Sequence, residues 1–155
     1  MKGWKVYKDT DLGYSIKYPS DWTLYDDSRP DVAITAPGEE AMFKKNAGGP
    51  GGGPALGCEF FSIRVSDKKA YNQEFTSSLS LGGVYGVQDT ILNGMKAKFY
   101  IEPVMCEKNV WAIQRGDKVF IIAVRTASDL FGSETITPDD YLSAVNSANT
   151  FTLNK

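Results

Sequence analysis

The chain has 155 residues, and its 17 Lys+Arg against 19 Asp+Glu leave a net charge of -2. That balance projects no long-range field toward nucleic acid or an anionic bilayer, and 42% hydrophobic with 23% charged residues is the composition of one globular domain. Histidine is absent, which excludes Ser-His-Asp and Cys-His chemistry, removes the commonest transition-metal ligand, and leaves acid–base work to Asp, Glu, Lys or Tyr.

Met1-Lys2-Gly3-Trp4 leads into folded-looking sequence with no apolar leader. The chain is therefore read as cytosolic or as having lost a targeting segment. Tyr14, Ile16 and Tyr18 alternate with Ser15 and Lys17, the period of a strand with one buried face. Pro19-Ser20-Asp21 breaks the pattern, Trp22 and Leu24 resume it, and Val32, Ile34 and Ala36 repeat it after a polar turn. Three short antiparallel strands are expected, with Tyr14, Ile16, Tyr18, Trp22 and Leu24 pointing at a helix as core.

Residues 46–57, "NAGGPGGGPALG", lose much entropy on ordering and have little to bury, so they read as a mobile surface loop. A phosphate-binding loop would continue as Gly-Lys-Ser/Thr into a helix, whereas Gly57 is followed by Cys58-Glu59-Phe60. Phe61, Ile63 and Val65 form a fourth strand. Tyr71, Phe75 and Leu79 then recur every fourth residue, predicting a helix near 69–81 that Gly82-Gly83 stops.

Strands over about 84–92 and 95–101 meet at Asn93-Gly94, the strongest two-residue hairpin signal, and a second hairpin turns at Gly116-Asp117. Its outgoing strand, Val119 to Val124, is apolar on both faces and so requires cover on both. The same run falls short of the roughly 20 residues of a membrane helix. The last helix begins with Thr137 as N-cap, Pro138 at its first position and Asp139-Asp140 facing the positive dipole end, burying Tyr141, Leu142, Val145 and Ala148. Phe151 and Leu153 close the chain as an edge strand or docked tail. The class is α+β: a mostly antiparallel sheet of about six to eight strands covered by helices on both faces.

Chemistry-bearing residues are sparse. Asp26, Asp27, Arg29 and Asp31 form a polar turn, the first surface to test for recognition, and its carboxylates supply hard oxygen ligands for calcium without the D-x-D-x-D-G spacing. A carboxylate-based hydrolase would draw on Glu102 and Glu107, or on Asp139 and Asp140, although capping explains the latter two. No catalytic residue, metal ligand or cofactor is assigned. Cys58 and Cys106, the only cysteines, lack zinc or redox spacing; a disulfide and two unpaired buried thiols both stay open.

Three segments resemble the PsbP-like family of the Mog1/PsbP fold, particularly its exported bacterial relatives: "GYSIKYPSDWTL" (13–24), "LNGMKAKFY" (92–100) and "DDYLSAVNSANTFTL" (139–153). They span nearly the whole chain, so residues 1–155 are read as one PsbP-like domain. The resemblance implies a non-enzymatic binding or assembly module. Plant and cyanobacterial members associate with photosystem II, and many bacterial members look like secreted domains or lipoproteins. It thus implies an extracytoplasmic location after loss of a signal or lipobox, pairing of Cys58 with Cys106, and a partner that is another protein or a cell-envelope component, with no nucleic acid and no transmembrane segment. The Gly-rich stretch from Gly48 to Gly57 departs from the family pattern.

Overall fold

The computed structural model describes residues 3–28, 31–37, 60–103, 106–126 and 137–154. The chain is α+β and mostly antiparallel. Among the described residues, strands β1 (Trp4–Asp9), β2 (Tyr14–Pro19), β3 (Thr23–Ser28), β4 (Asp31–Thr35) and β5 (Phe61–Asp67) precede helix α1 (Lys68–Ser80). Then come β6 (Tyr85–Leu92), β7 (Met95–Glu102), β8 (Lys108–Arg115), β9 (Lys118–Arg125), helix α2 (Pro138–Ala148) and β10 (Thr152–Leu153).

The strands form two sheets where the sequence suggested one. A seven-stranded sheet runs β3-β4-β5-β9-β8-β7-β6, and a three-stranded one runs β1-β2-β10. The opening strand β2 therefore does not pair with β3. Pro19 removes an amide at its end, the Trp22 amide donates to the Pro19 carbonyl at 3.0 Å, and the chain turns out of the small sheet before β3 begins. β1 is an addition to the predicted set. At its turn into β2, Asp9 Oδ1 accepts from the amides of Asp11 and Leu12 at 3.0 and 2.9 Å, and Gly13 adopts φ 77°, where a side chain would be strained.

Both predicted hairpins form. Asn93 (φ 47°) and Gly94 (φ 79°) give the doubly positive turn that matches strand twist, while Gly116 (φ 61°) leads the β8–β9 turn. β9 lies between β5 and β8, and its apolar residues are buried. Phe120, Ile122 and Val124 belong to one core cluster with Tyr14, Ile16, Ala144, Ala148 and Phe151. The alternate residues Val119, Ile121 and Ala123 belong to another with Tyr71 and Tyr100, against which Phe75 packs.

The helices differ from expectation on one face each. Asp67 caps α1 by accepting from the Lys69 and Ala70 amides, and Tyr71 is buried, but Leu79 is 48% exposed at the far end. The capping box Thr137–Asp140 starts α2 as predicted. Leu142 is 57% exposed, however, because Ala144, Ser147 and Ala148 take the closest approach, with Tyr141 and Val145 flanking them. Small residues let this helix lie close to β2 and β9, and that contact rotates Leu142 outward.

The aromatic opening segment is core. Tyr14 stacks on Phe151 at 5.4 Å and meets Phe120 edge-on at 6.0 Å, and Trp22 tilts against Phe60 at 5.3 Å. Leu24 packs at the margin of the same cluster. Two side-chain bonds fasten the small sheet to the large one: Asn93 Nδ2 donates to the Phe151 carbonyl at 2.9 Å, and Arg115 donates to the Asn154 carbonyl at 2.8 Å. Among the described residues, no helix is long and apolar enough to cross a membrane.

Candidate functional site

Between α1 and the β6–β9 side of the large sheet lies a valley of about 570 Å³. Its making can be followed from the strand register. Asp89 lies opposite Lys98 and Ile91 opposite Lys96 on the β6–β7 hairpin; Lys98 pairs onward with Ala112, and Gln114 lies opposite Val119. Side chains at paired positions share a face, so this face carries two amines, a carboxylate and an amide on an apolar floor.

The small side chain of Ala112 leaves the space open, and α1 supplies the wall with Tyr71 and Asn72. Lys98 Nζ sits 4.5 Å from the centre of the Phe75 ring, a cation–π contact that holds the amine against the helix. Beneath, Tyr71 donates to the Tyr100 hydroxyl at 3.2 Å, and Phe75 packs between the two rings at 5.8 and 5.1 Å. Burial pushes the acidities of both tyrosines down, raising each pKa, and for Tyr100 the neighbouring Tyr71 adds to the effect. Both hydroxyls therefore stay protonated, and their mutual hydrogen bond braces the wall.

The sequence-predicted candidates lie elsewhere. Asp26 is exposed on β3, and the backbones of Asp27 and Asp31 lie on the β3–β4 hairpin, whereas Arg29 is outside the described residues. Among the described residues, no group of three or more Asp, Glu or Cys side chains is placed to hold a metal ion. Cys106 is buried and disulfide-bonded, while Cys58 lies outside the described residues. So does the Gly/Pro-rich stretch 46–57.

Three of the four carboxylates weighed as catalytic have structural partners, and Asp139 stands in the first turn of α2. Glu102 pairs with Lys108 at 3.5 Å, and Glu107 accepts from the hydroxyls of Tyr85 at 3.0 Å and Thr126 at 3.2 Å. Asp140 accepts from the Thr137 amide and hydroxyl at the start of α2. None of these lines the valley. Sequence reading missed the valley because its residues come from four strands and a helix. The available signal was the Lys96–Lys98 alternation beside the hairpin turn, which places both amines on one side of β7.

The chain is an antiparallel α+β domain with an open valley beside one helix. No family model matches the sequence, and no curated protein matches it. Solved structures share its fold. A protein of Bacteroides thetaiotaomicron superposes with a TM-score of 0.52 at 16% identity, covering 100% of this chain and 50% of that one. Cyanobacterial PsbP (CyanoP) from Synechocystis superposes with a TM-score of 0.52 at 13% identity, covering 99% and 94%. The Ran-binding protein Mog1p of Saccharomyces cerevisiae matches with a TM-score of 0.45 at 10% identity over 99% and 96%. The chain thus has a PsbP-like fold, and it spans about half the length of the Bacteroides protein.

Proposed function

We propose that this domain is a non-enzymatic binding or assembly module that acts outside the cytoplasm and receives another protein or a cell-envelope component in the valley. The scaffold for that role is the large sheet held between α1 on one face and α2 with the small sheet on the other. The observation that carries the reading is the valley itself: an apolar floor at Ala112 and Val119 beside the Lys96 and Lys98 amines, with Asn72 and Gln114 as hydrogen-bonding groups. Apolar floor gives affinity, and a few placed polar groups give orientation. The carboxylates Glu102, Glu107 and Asp140 are committed to ion pairing, hydroxyl contacts and capping.

The location rests on Cys106, which is disulfide-bonded in a chain with one other cysteine, Cys58. Pairing the two closes a loop whose chain-entropy contribution is about 4 kcal/mol and suits an oxidising compartment. A photo-crosslinking residue at Gln114, expressed in the native host, tests the role. A discrete crosslinked species from position 114 and none from Lys5 on the small sheet supports the valley as receptor. Equal yields from both positions refute it. Thiol titration of unreduced protein unfolded in denaturant decides the compartment argument: no reactive thiol supports the pairing, and two overturn it.

A further inference from the structure

We infer that β6 is a pairing edge for a second copy of this chain, joining two large sheets and two valleys into one continuous surface. Among the described residues, β6 ends the seven-stranded sheet with β7 as its neighbour. Leu92 opposite Met95 closes the two-residue turn and is a hydrogen-bonded pair, so Thr90–Ala97 and Gln88–Phe99 are hydrogen-bonded pairs as well. The amides and carbonyls of Asp89 and Ile91 consequently point away from β7 to the open edge. Upstream the register shifts between Tyr85 and Gln88, where Gly86 has φ 65°, so Gln88–Leu92 is the regular part of the edge.

That run lacks the usual protections. It has no proline and no lysine, one charge at Asp89, and an isoleucine, Ile91, that is 61% exposed. An edge of this kind is a template for another strand. The strand is complementary to itself in an antiparallel register with the two-fold axis through Thr90, the centre that pairs the outward groups of both Asp89 and Ile91. Asp89 then opposes the partner's Ile91, and Ile91 opposes the partner's Asp89, so the outward groups of both residues are satisfied together. Sliding by one residue opposes outward groups to inward ones. Centring the axis on Asp89 sets two carboxylates face to face, which is repulsive.

Charge follows the same register. Across the joint the row runs Lys98, Asp89, the partner's Ile91, the partner's Lys96, so each carboxylate has its own chain's cation beside it and an apolar group opposite. Ile91 and the partner's Ile91 become diagonal neighbours on the valley face and shield each other from water. A two-fold axis perpendicular to the sheet keeps both α1 helices on one side. The inference depends on the sheet edge and not on what the valley receives, so it stands or falls separately from the proposed function.

Sedimentation equilibrium of the whole chain from micromolar to millimolar concentration tests it. The expected result is a reversible rise in mean mass from 17.0 kDa toward twice that value. Ile91→Pro removes an outward amide at an edge position where proline is tolerated. It is expected to keep the native circular dichroism and to weaken association at least tenfold. Should that variant fail to fold, amide exchange of the unmutated chain decides: the Asp89 and Ile91 amides slow with rising protein concentration. A mass that stays at 17.0 kDa throughout, a dimer unchanged in folded Ile91→Pro, or Asp89 and Ile91 amides insensitive to concentration each overturn it.

Discussion

Replacing Phe151 by alanine tests how the small sheet is held to the large one. The ring is fully buried, stacked on Tyr14 at 5.4 Å and tilted on Phe120 at 5.9 Å, at the point where the chain leaves α2 for β10. Deleting a fully buried phenylalanine removes its transfer free energy and leaves a cavity that rigid neighbours on β2 and β9 fill only in part, a loss of about 3–5 kcal/mol. A domain of this size has roughly 5–15 kcal/mol in total, so Phe151→Ala removes a large fraction of it. At about 2–4 °C per kcal/mol, a loss of about 4 kcal/mol lowers Tm by roughly 8–16 °C. Urea unfolding followed by tryptophan fluorescence reads the change through Trp22, which is buried in the same cluster. The midpoint falls with the slope unchanged. A double-mutant cycle with Tyr14→Leu adds a sharper criterion, because two stacked rings couple by about 0.5–1.5 kcal/mol. A loss under about 1.5 kcal/mol for Phe151→Ala, or no coupling to Tyr14, refutes the account of this joint.

Two further tests address the wall of the valley and its helix. Tyr100 ionises near 10.0 when unfolded, but burial holds its folded pKa far higher. Its contribution to stability is therefore complete below about pH 10 and declines above it, by about 1.4 kcal/mol per pH unit, as the unfolded chain alone releases the proton. Urea midpoints measured from neutral to strongly alkaline pH are expected to fall less steeply in Tyr100→Phe; an equally steep fall excludes Tyr100 as the source. Asp67→Ala leaves the Lys69 and Ala70 amides at the start of α1 without their acceptor, costing about 1 kcal/mol that Asp67→Asn largely restores. Equal stability of the alanine and native chains in urea melts contradicts the capping role.

Much of the local structure was legible because its causes are local. Asn93-Gly94 announces a hairpin since those residues enter the left-handed region most easily, and Thr137-Pro138-Asp139-Asp140 announces a helix start by satisfying the first amides. The double-faced apolar run Val119 to Val124 required a central strand, and β9 is one. The errors share a physical origin. Leu79 and Leu142 match a helical stripe, but how far a helix lies from its sheet, and at what rotation, depends on residues far away in sequence. β1 escaped notice although Trp4 and Val6 alternate with Lys5 and Tyr7, because its alternate side chains face solvent and no hydrophobic repeat marks a buried face.

The candidate site was hardly legible at all. Acidic residues clustered in sequence drew attention to Asp26, Asp27, Arg29 and Asp31, yet the valley is assembled from Tyr71, Ile91, Lys98 and Ala112, which no motif links. A concavity is a property of spacing between elements. It exists here because Ala112 is small and because α1 rests on β5 and β9, to one side of β6 and β7 in the strand order.

The amino-acid sequence by itself determined the class, the two hairpin turns, the cap of α2 and the burial of the opening aromatics, since each follows from preferences expressed within a few residues. Only the tertiary structure decided that the strands divide into two sheets, which residue pairs face each other across them, and where a surface is left open. Those outcomes depend on strand register and helix placement, and both are set by contacts between segments distant along the chain.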